Sequence, residues 1–181
     1  MVGNLKNKTS KGVQHLIINC PYQNRVPALA DILICYGTGQ TIIFTQTKAE
    51  CNQLLLSDKI KNKIEVMHGD IAQNQREVTL KRFKDKKFQV LVATDVCSRG
   101  LDIPSVDLVV QIEPPADPET YIHRSGRTAR AGRSGICITF YTHRQVSLIQ
   151  HIQSKVGVEF TKIGVPQPEQ VIKASSRDIV K

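Results

Sequence analysis

The stretch Val90-Leu91-Val92-Ala93-Thr94 is the clearest guide to the fold, because its side chains are apolar at odd and even positions alike until the final threonine. A strand that is apolar on both sides is typical of a parallel sheet with helices on both faces. Short runs of similar composition recur along the chain at 15–19, 41–45, 64–68, 108–112 and 135–140. The pattern predicts an α/β fold with a doubly wound, mostly parallel sheet flanked by helices.

Amphipathic segments between these runs supply the predicted helices, which cover about 25–35, 48–56, 73–83, a stretch that begins after Asp117, and a last long helix from Thr142 to Gly157. The start and stop signals are caps, a first-turn proline and a final glycine: Thr47, Asp117, Pro118 and Gly157. In the third helix, the candidates for the buried side are Val78, Leu80 and Phe83.

The length of 181 residues suits one domain, which we place at 13–163. We expect residues 1–12 to be a disordered or artificial lead-in. Residues 164–181 are a C-terminal extension or linker, since Pro166 and Pro168 mark a break. This tail could form an extra helix, the start of a linker or a disordered stump.

The composition is basic, with 25 Lys and Arg against 16 Asp and Glu and a formal net charge of +9. Such a balance favours polyanionic partners. The five cysteines form no CxxC pair and lie near no histidine at metal spacing, so we expect reduced thiols and no metal site. No apolar run reaches the ~18 residues of a membrane span, and the first residues do not resemble a signal peptide. We therefore expect a cytosolic or nuclear protein.

The segment His123–Arg133 carries four arginines at every third position and no acid. If its first part is helical, His123, Arg127 and Arg130 share one face. Guanidinium groups bind phosphate oxygens in pairs and stabilise charge in phosphoryl transfer. The segment therefore predicts a polyphosphate site, with a solvated basic face or a nuclear-targeting cluster as the alternatives.

Polar residues gather where the predicted strands end, in loops that begin at Thr45, His68 and Thr94. In doubly wound folds the loops at the carboxyl ends of the strands form the binding site. We therefore expect these loops on one edge of the sheet, with Arg127 and Arg130 facing outward from that same edge. Taken singly, each loop also has a structural explanation, such as a helix cap at Thr47 or a turn at Gly69.

Four motifs resemble the carboxy-terminal motor domain of DEAD-box RNA helicases, in family order. They are residues 41–48, His68-Gly69-Asp70 followed by Gln73-x-x-Arg76, residues 93–102, and His-Arg-x-Gly-Arg-x-x-Arg at 123–130. The resemblance covers about 13–160 and implies a RecA-like fold. Residues 13–16, 161–166 and 171–176 are most similar to the nucleolar Gu (RNA helicase II) group. This similarity implies a nuclear and nucleolar location, with the cytoplasm as the alternative.

The resemblance also implies roles for single residues. Arg127 and Arg130 would contact ATP phosphates across a cleft between two domains, with Arg130 as the arginine finger, and Asp102 would bind the ribose. His123 and Arg99 would reach the partner domain. Phe44 would pack on an arginine of the 123–130 motif, although an ordinary core phenylalanine is an equal alternative.

A second set of residues resembles the family positions that hold one RNA strand by its sugar-phosphate backbone: Thr47, Gly69, Gln73, Arg76 and Thr94. Hydroxyls, amides and arginines grip phosphates and 2′-hydroxyls without reading bases. The chain has no tryptophan, and we expect Tyr121, Phe140 and Tyr141 in the core, so no stacking platform is predicted.

The chain contains neither a phosphate-binding loop of the G-x-x-x-x-G-K-[ST] type nor an Asp-Glu-Ala-Asp quartet. We therefore expect one half of a two-domain ATPase, inactive alone, with the Mg²⁺ ligands in an N-terminal RecA-like domain. Ala129 stands where the family usually has glycine, and we expect a helical backbone there. The alternatives are a stand-alone RNA-binding or scaffold module and half of a DNA-translocating helicase.

Overall fold

Six apolar runs of the sequence become six strands of one parallel sheet, as the computed structural model shows for residues 11–61, 63–94 and 103–179. Within this described part, the strands are β1 (Val13–Asn19), β2 (Thr41–Thr45), β3 (Ile64–Met67), β4 (Val90–Thr94), β5 (Leu108–Gln111), β6 (Gly135–Tyr141) and β7 (Thr161–Lys162). Their order in the sheet is β3-β4-β2-β5-β6-β1-β7, and every pair is parallel. The predicted fold class is confirmed.

The described helices are α1 (Arg25–Tyr36), α2 (Lys48–Leu55), α3 (Gln73–Lys84), α4 (Pro118–Ser125), α5 (Val146–Val156) and α6 (Pro168–Ile179). Two predicted caps are confirmed: the Thr47 side chain accepts from the Glu50 amide at 3.2 Å, and Asp117 accepts from Thr120 at 2.8 Å. Gly157 ends α5 with a left-handed φ of 78°, as predicted. Thr142 instead caps a short 3₁₀ turn (His143–Gln145) ahead of α5.

The two faces of the sheet are both buried, which explains the continuous apolar runs. Ile43 and Val92 belong to the core cluster under α1 and α2, whereas their neighbours Ile42 and Leu91 belong to the cluster under α3, α4 and α5. Leu80 and Phe83 of α3 are buried as predicted. The prediction for Val78 is wrong, because this side chain is 52% exposed.

The C-terminal residues extend the domain on its α1 side. Strand β7 adds to the sheet next to β1, where the amide of Ile163 donates to the carbonyl oxygen of Ile17 at 3.0 Å. Ile163 and Val165 pack on the core cluster under α1, and α6 packs on α1 itself. Strand β7 was not predicted, since its two residues are exposed and polar.

Candidate functional site

The arginine segment leaves the helix earlier than its spacing suggested. Helix α4 ends at Ser125, and Gly126 is its C-cap. Thr128 then forms a bridge with Val106, and its hydroxyl donates to the carbonyl oxygen of Val106. The predicted common helical face of His123, Arg127 and Arg130 is therefore wrong, because only the first of them lies in the helix.

The position of the segment also corrects an expectation. Val106 lies two residues before β5, and the segment forms an open concavity together with Lys11 and Gly12, which precede β1. Arg127 and Arg130 therefore lie at the amino edge of the sheet, opposite Thr94 at the end of β4. The physical reason is length: α4 rises about 12 Å, enough to return the chain across a four-residue strand of about 13 Å.

Arg130 is held by backbone carbonyls and not by an acid. Its Nε donates to the carbonyl oxygen of Gly126 at 2.9 Å, and its Nη1 donates to that of Ile103 at 3.1 Å. No carboxylate in the described ranges pairs with it. Arg127 is half-buried next to it, and its carbonyl oxygen accepts from the Val106 amide at 2.9 Å.

Two predicted residues cannot be compared with this geometry. Asp102 and Arg99 lie outside the described residues. Ile103, which follows Asp102 in the sequence, contacts Arg130.

The backbone around Arg130 is left-handed on both sides. Ala129 has φ 59° and Ala131 has φ 56°, so the helical backbone expected at Ala129 is wrong. An L-residue in this region costs about 1–2 kcal/mol. This cost explains why glycine suits position 129. The two left-handed alanines form a tight turn, and Arg130 lies between them.

Arg124 of the same segment is buried and packs against the strands of the sheet. Its Nη1 donates to the Gln111 side chain at 3.0 Å, and its guanidinium lies 5.5 Å from the centroid of the Phe44 ring. The predicted contact between Phe44 and a motif arginine is confirmed. Phe44 is only 1% exposed, so it cannot itself reach a partner domain and any interdomain role must act through Arg124.

His123 is exposed on α4, with Nε2 at 3.8 Å from a carboxylate oxygen of Glu119. An exposed imidazole at the end of α4 remains available to a partner domain. This placement fits the interdomain role that the resemblance implies for His123.

A buried polar network, which the sequence did not reveal, continues from Gln111 across the sheet. Gln111 donates to the Thr139 hydroxyl at 2.9 Å, and the hydroxyl of Tyr121 lies 2.6 Å from Nδ1 of His15. Burial lowers the pKa of His15 to about 4 and raises the pKa of Cys137, beside Tyr121, to about 11. These groups are neutral at neutral pH and hold α4 on the sheet.

The predicted RNA residues gather at the opposite, carboxyl edge. Thr94 ends β4 beside Thr45 of β2, and Thr47 follows at the start of α2. Gly69 lies in an exposed turn after β3, as predicted. Lys48 and Asp70 join these two loops by an ion pair of 2.5 Å, and the hydrogen bond from Lys48 lowers the pKa of Asp70.

Helix α3 begins at this same edge. Gln73 is its first residue and is exposed, and Arg76 follows one turn later and is half-buried. The structure therefore brings Thr47, Gly69 and Thr94 to one edge with the start of α3.

A buried ion pair completes the carboxyl edge, and sequence reasoning did not find it. Arg25, 3% exposed, pairs with Glu113 and donates to the carbonyl oxygens of Cys20 at 3.2 Å and Ile112 at 2.6 Å. Gln145 donates to the same carboxylate at 2.6 Å. The ion pair ties together the loops that follow β1, β5 and β6. The positions are too far apart in sequence to show as a motif.

Within the described residues, no group of three or more His, Cys, Asp or Glu side chains is arranged to hold a metal ion. No described helix is long and apolar enough to span a membrane. No disulfide joins the cysteines among the described residues, which are Cys20, Cys35, Cys51 and Cys137. Cys97 lies outside the described ranges.

Comparison with known proteins places these features in a family. Residues 24–132 match the model of the helicase conserved C-terminal domain. The whole chain is 45% identical to the human ATP-dependent RNA helicase DDX50 and 47% identical to the rat nucleolar RNA helicase 2, of which it covers 25% and 23%. The chain thus spans about a quarter of the length of these relatives.

Solved structures agree with the sequence relatives. The structure of the C-terminal domain of the DEAD-box protein Dbp5 matches with a TM-score of 0.78 and 30% identity, over 92% of this chain and 98% of that one. Dbp5 from Saccharomyces cerevisiae bound to RNA and ADP BeF3 matches with a TM-score of 0.81 and 30% identity, over 96% of this chain and 46% of that one.

Proposed function

Since this chain belongs to the helicase conserved C-terminal domain family, as a C-terminal RecA-like domain of the DEAD-box type, we propose that it is the second motor half of an ATP-dependent RNA helicase. The observation that carries the proposal is the placement of Arg130, which backbone carbonyls hold at the amino edge without a carboxylate partner among the described residues. An arginine held in this way is ready for an anion that another domain brings.

The residues at this edge fit a nucleoside triphosphate. Lys11, Gly12 and the turn 129–133 line an open cavity of about 650 Å³. Among the described residues, this lining contains a lysine and two arginines and no acid. Bound ATP supplies the phosphoryl group whose transfer to water drives the motor. Arg130 would stabilise charge on the phosphates, with Arg127 beside it, and Asp102 would accept from the ribose hydroxyls. Mg²⁺ would be held in the N-terminal RecA-like domain.

The carboxyl edge would hold RNA through Thr47, Gly69, Gln73, Arg76 and Thr94. Its hydroxyls, amide and guanidinium suit contacts to phosphates and 2′-hydroxyls, which distinguish RNA from DNA without reading the sequence. ATP and RNA would thus bind at opposite edges of this domain. When the cleft with the N-terminal domain closes, the RNA strand would bend and the duplex would separate locally.

A steady-state ATPase assay tests the proposal with two proteins: the chain alone, and the chain joined to its N-terminal RecA-like domain. We expect no measurable turnover by the chain alone and RNA-stimulated turnover by the joined protein. Single-stranded DNA of the same length is the control and should stimulate weakly. RNA-stimulated turnover by the isolated chain, or stimulation by DNA alone, would contradict the proposal.

The relatives' names also support a location. Two of them are called nucleolar RNA helicase 2, which supports a nucleolar site of action for this protein. Fluorescence microscopy of the full-length tagged protein, with a nucleolar marker as reference, tests this point.

A further inference from the structure

Tyr22 is the one tyrosine or phenylalanine in the described ranges that is exposed, with 60% of its surface accessible. It lies in the loop between β1 and α1, at the carboxyl edge of the sheet. Tyr121, Phe140 and Tyr141 are buried, as the sequence predicted. An exposed aromatic ring at this edge has no role in the core.

The ring of Tyr22 is held in place from below. The guanidinium carbon of Arg25 lies 4.1 Å from the ring centroid, and the hydroxyl of Tyr22 donates to Glu113 at 3.4 Å. Arg25 is itself fixed by Glu113 and two carbonyl oxygens. One face of the ring therefore rests on a buried cation, while the other is open to solvent. A ring already held in one orientation loses little conformational entropy when it binds.

The ring also adjoins the predicted RNA residues. Gln46, the residue before Thr47, donates to the carbonyl oxygen of Pro114 at 3.0 Å, and Pro114 follows the Glu113 that binds Tyr22. On the other side, Glu113 accepts from Gln145, which follows the exposed Arg144. Tyr22 thus lies between the loop of Thr47 and an exposed arginine.

We propose that the open face of Tyr22 stacks on one base of the bound RNA strand, with Arg144 contacting an adjacent phosphate. The inference rests on the proposed RNA function of this edge and adds a base contact to its backbone contacts. Every base offers a flat π face, so the contact tolerates any sequence. The guanidinium of Arg25 lies against the opposite face of the ring and adds a cation–π contact to the stack.

Binding of single-stranded RNA by the joined two-domain protein, with a nonhydrolysable ATP analogue, tests the stack. Tyr22→Ala should weaken binding at least about fivefold, the lower end of the range for loss of one base–aromatic stack. Tyr22→Phe keeps the ring and should bind within about twofold of wild type. Leu56→Ala, which removes an 80% exposed apolar side chain elsewhere, is the matched control and should bind normally.

An abasic scan of the RNA separates stacking from indirect effects. One abasic position should weaken binding to wild type as much as Tyr22→Ala does, and should weaken Tyr22→Ala no further. The slope of log binding constant against log salt concentration should be unchanged in Tyr22→Ala. In Arg144→Ala its magnitude should fall by about one. Additive losses at every abasic position, or normal binding by Tyr22→Ala, would overturn the stack.

Variants of the predicted backbone contacts separate a failure of the stack from a failure of RNA binding at this edge. Gln73→Ala and Arg76→Ala should weaken RNA binding by removing backbone contacts. If these variants lose affinity and Tyr22→Ala does not, only the stacking inference fails. If the wild-type protein does not bind RNA, the proposed function fails and the stack with it.

Discussion

At the scale of single residues, the turn around Arg130 requires two alanines to adopt left-handed backbone angles. Ala131 is exposed, so glycine there would lose no buried contact and would relieve the strain. We expect Ala131→Gly to raise the free energy of unfolding by about 0.5–1 kcal/mol, the balance of relieved strain against added unfolded-state entropy. Urea unfolding of the chain measures this.

The matched control is the same substitution in a helix. Ala49 is exposed in α2, where glycine should lower the free energy of unfolding by about 0.5–1 kcal/mol. Opposite signs for the two substitutions are expected. A destabilised Ala131→Gly would show that the turn is not strained.

His15 makes stability depend on pH. Its pKa in the folded protein, about 4, lies below the ordinary value of 6.5, so the folded state resists protonation. The stabilisation is complete above pH 6.5 and is lost as the pH falls from 6.5 to 4, by about 3 kcal/mol in total. His15→Gln should therefore flatten the curve of unfolding free energy against pH in this window.

Thermal or urea unfolding from pH 7 to 4 measures the effect of His15. His151→Gln, which removes an exposed imidazole from α5, is the control and should keep the wild-type pH dependence. Equal slopes for His15→Gln and wild type would contradict the buried neutral histidine.

Residue types alone predicted part of the site. The sequence led to a contact between Phe44 and an unspecified arginine of the 123–130 motif only through the family resemblance. It gave no sign of Gln111, His15 or the Arg25–Glu113 pair. These contacts join residues from different strands and loops, with separations of 88 positions for Arg25 and Glu113. Local patterns carry no information about such pairings.

At the scale of elements, helix α4 connects the two edges of the sheet, and its start depends on Asp117. The carboxylate accepts from both the amide and the hydroxyl of Thr120 at 2.8 Å. We expect Asp117→Ala to lower the free energy of unfolding by about 1 kcal/mol, whereas Asp117→Asn retains a capping oxygen and should cost less than half as much. Urea denaturation of the three proteins compares them. Equal losses for alanine and asparagine would show that the capping oxygen is not what stabilises the start of α4.

Local signals predicted the elements well because each signal has a local cause. Apolar runs form strands that are buried on both faces. The side chains of Thr47 and Asp117 accept hydrogen bonds from backbone amides at the start of a helix. Gly157 ends its helix with a left-handed backbone. The edge occupied by Arg130 was predicted wrongly. The path after α4 depends on a bridge to Val106, which no helical periodicity reveals.

At the scale of the molecule, the domain presents two separate edges. The amino edge carries the arginine turn, and the carboxyl edge carries the loops of Thr94, Thr47 and Tyr22. The buried contacts of Arg124 with Gln111 and Phe44 connect α4 to the strands that end at the carboxyl edge. In the proposed function, such a connection would couple nucleotide binding at one edge to RNA binding at the other.

RNA-stimulated ATP turnover by the joined two-domain protein measures whether Arg130 acts on a nucleotide held by a neighbouring domain. Arg130→Ala should reduce turnover by on the order of 10³, the effect of losing an arginine finger, while RNA binding changes little. Arg82→Ala, which removes an arginine of α3 that pairs with Glu65 of β3, is the control of equal charge and should retain turnover. Turnover of Arg130→Ala within about tenfold of wild type would show that Arg130 is not an arginine finger.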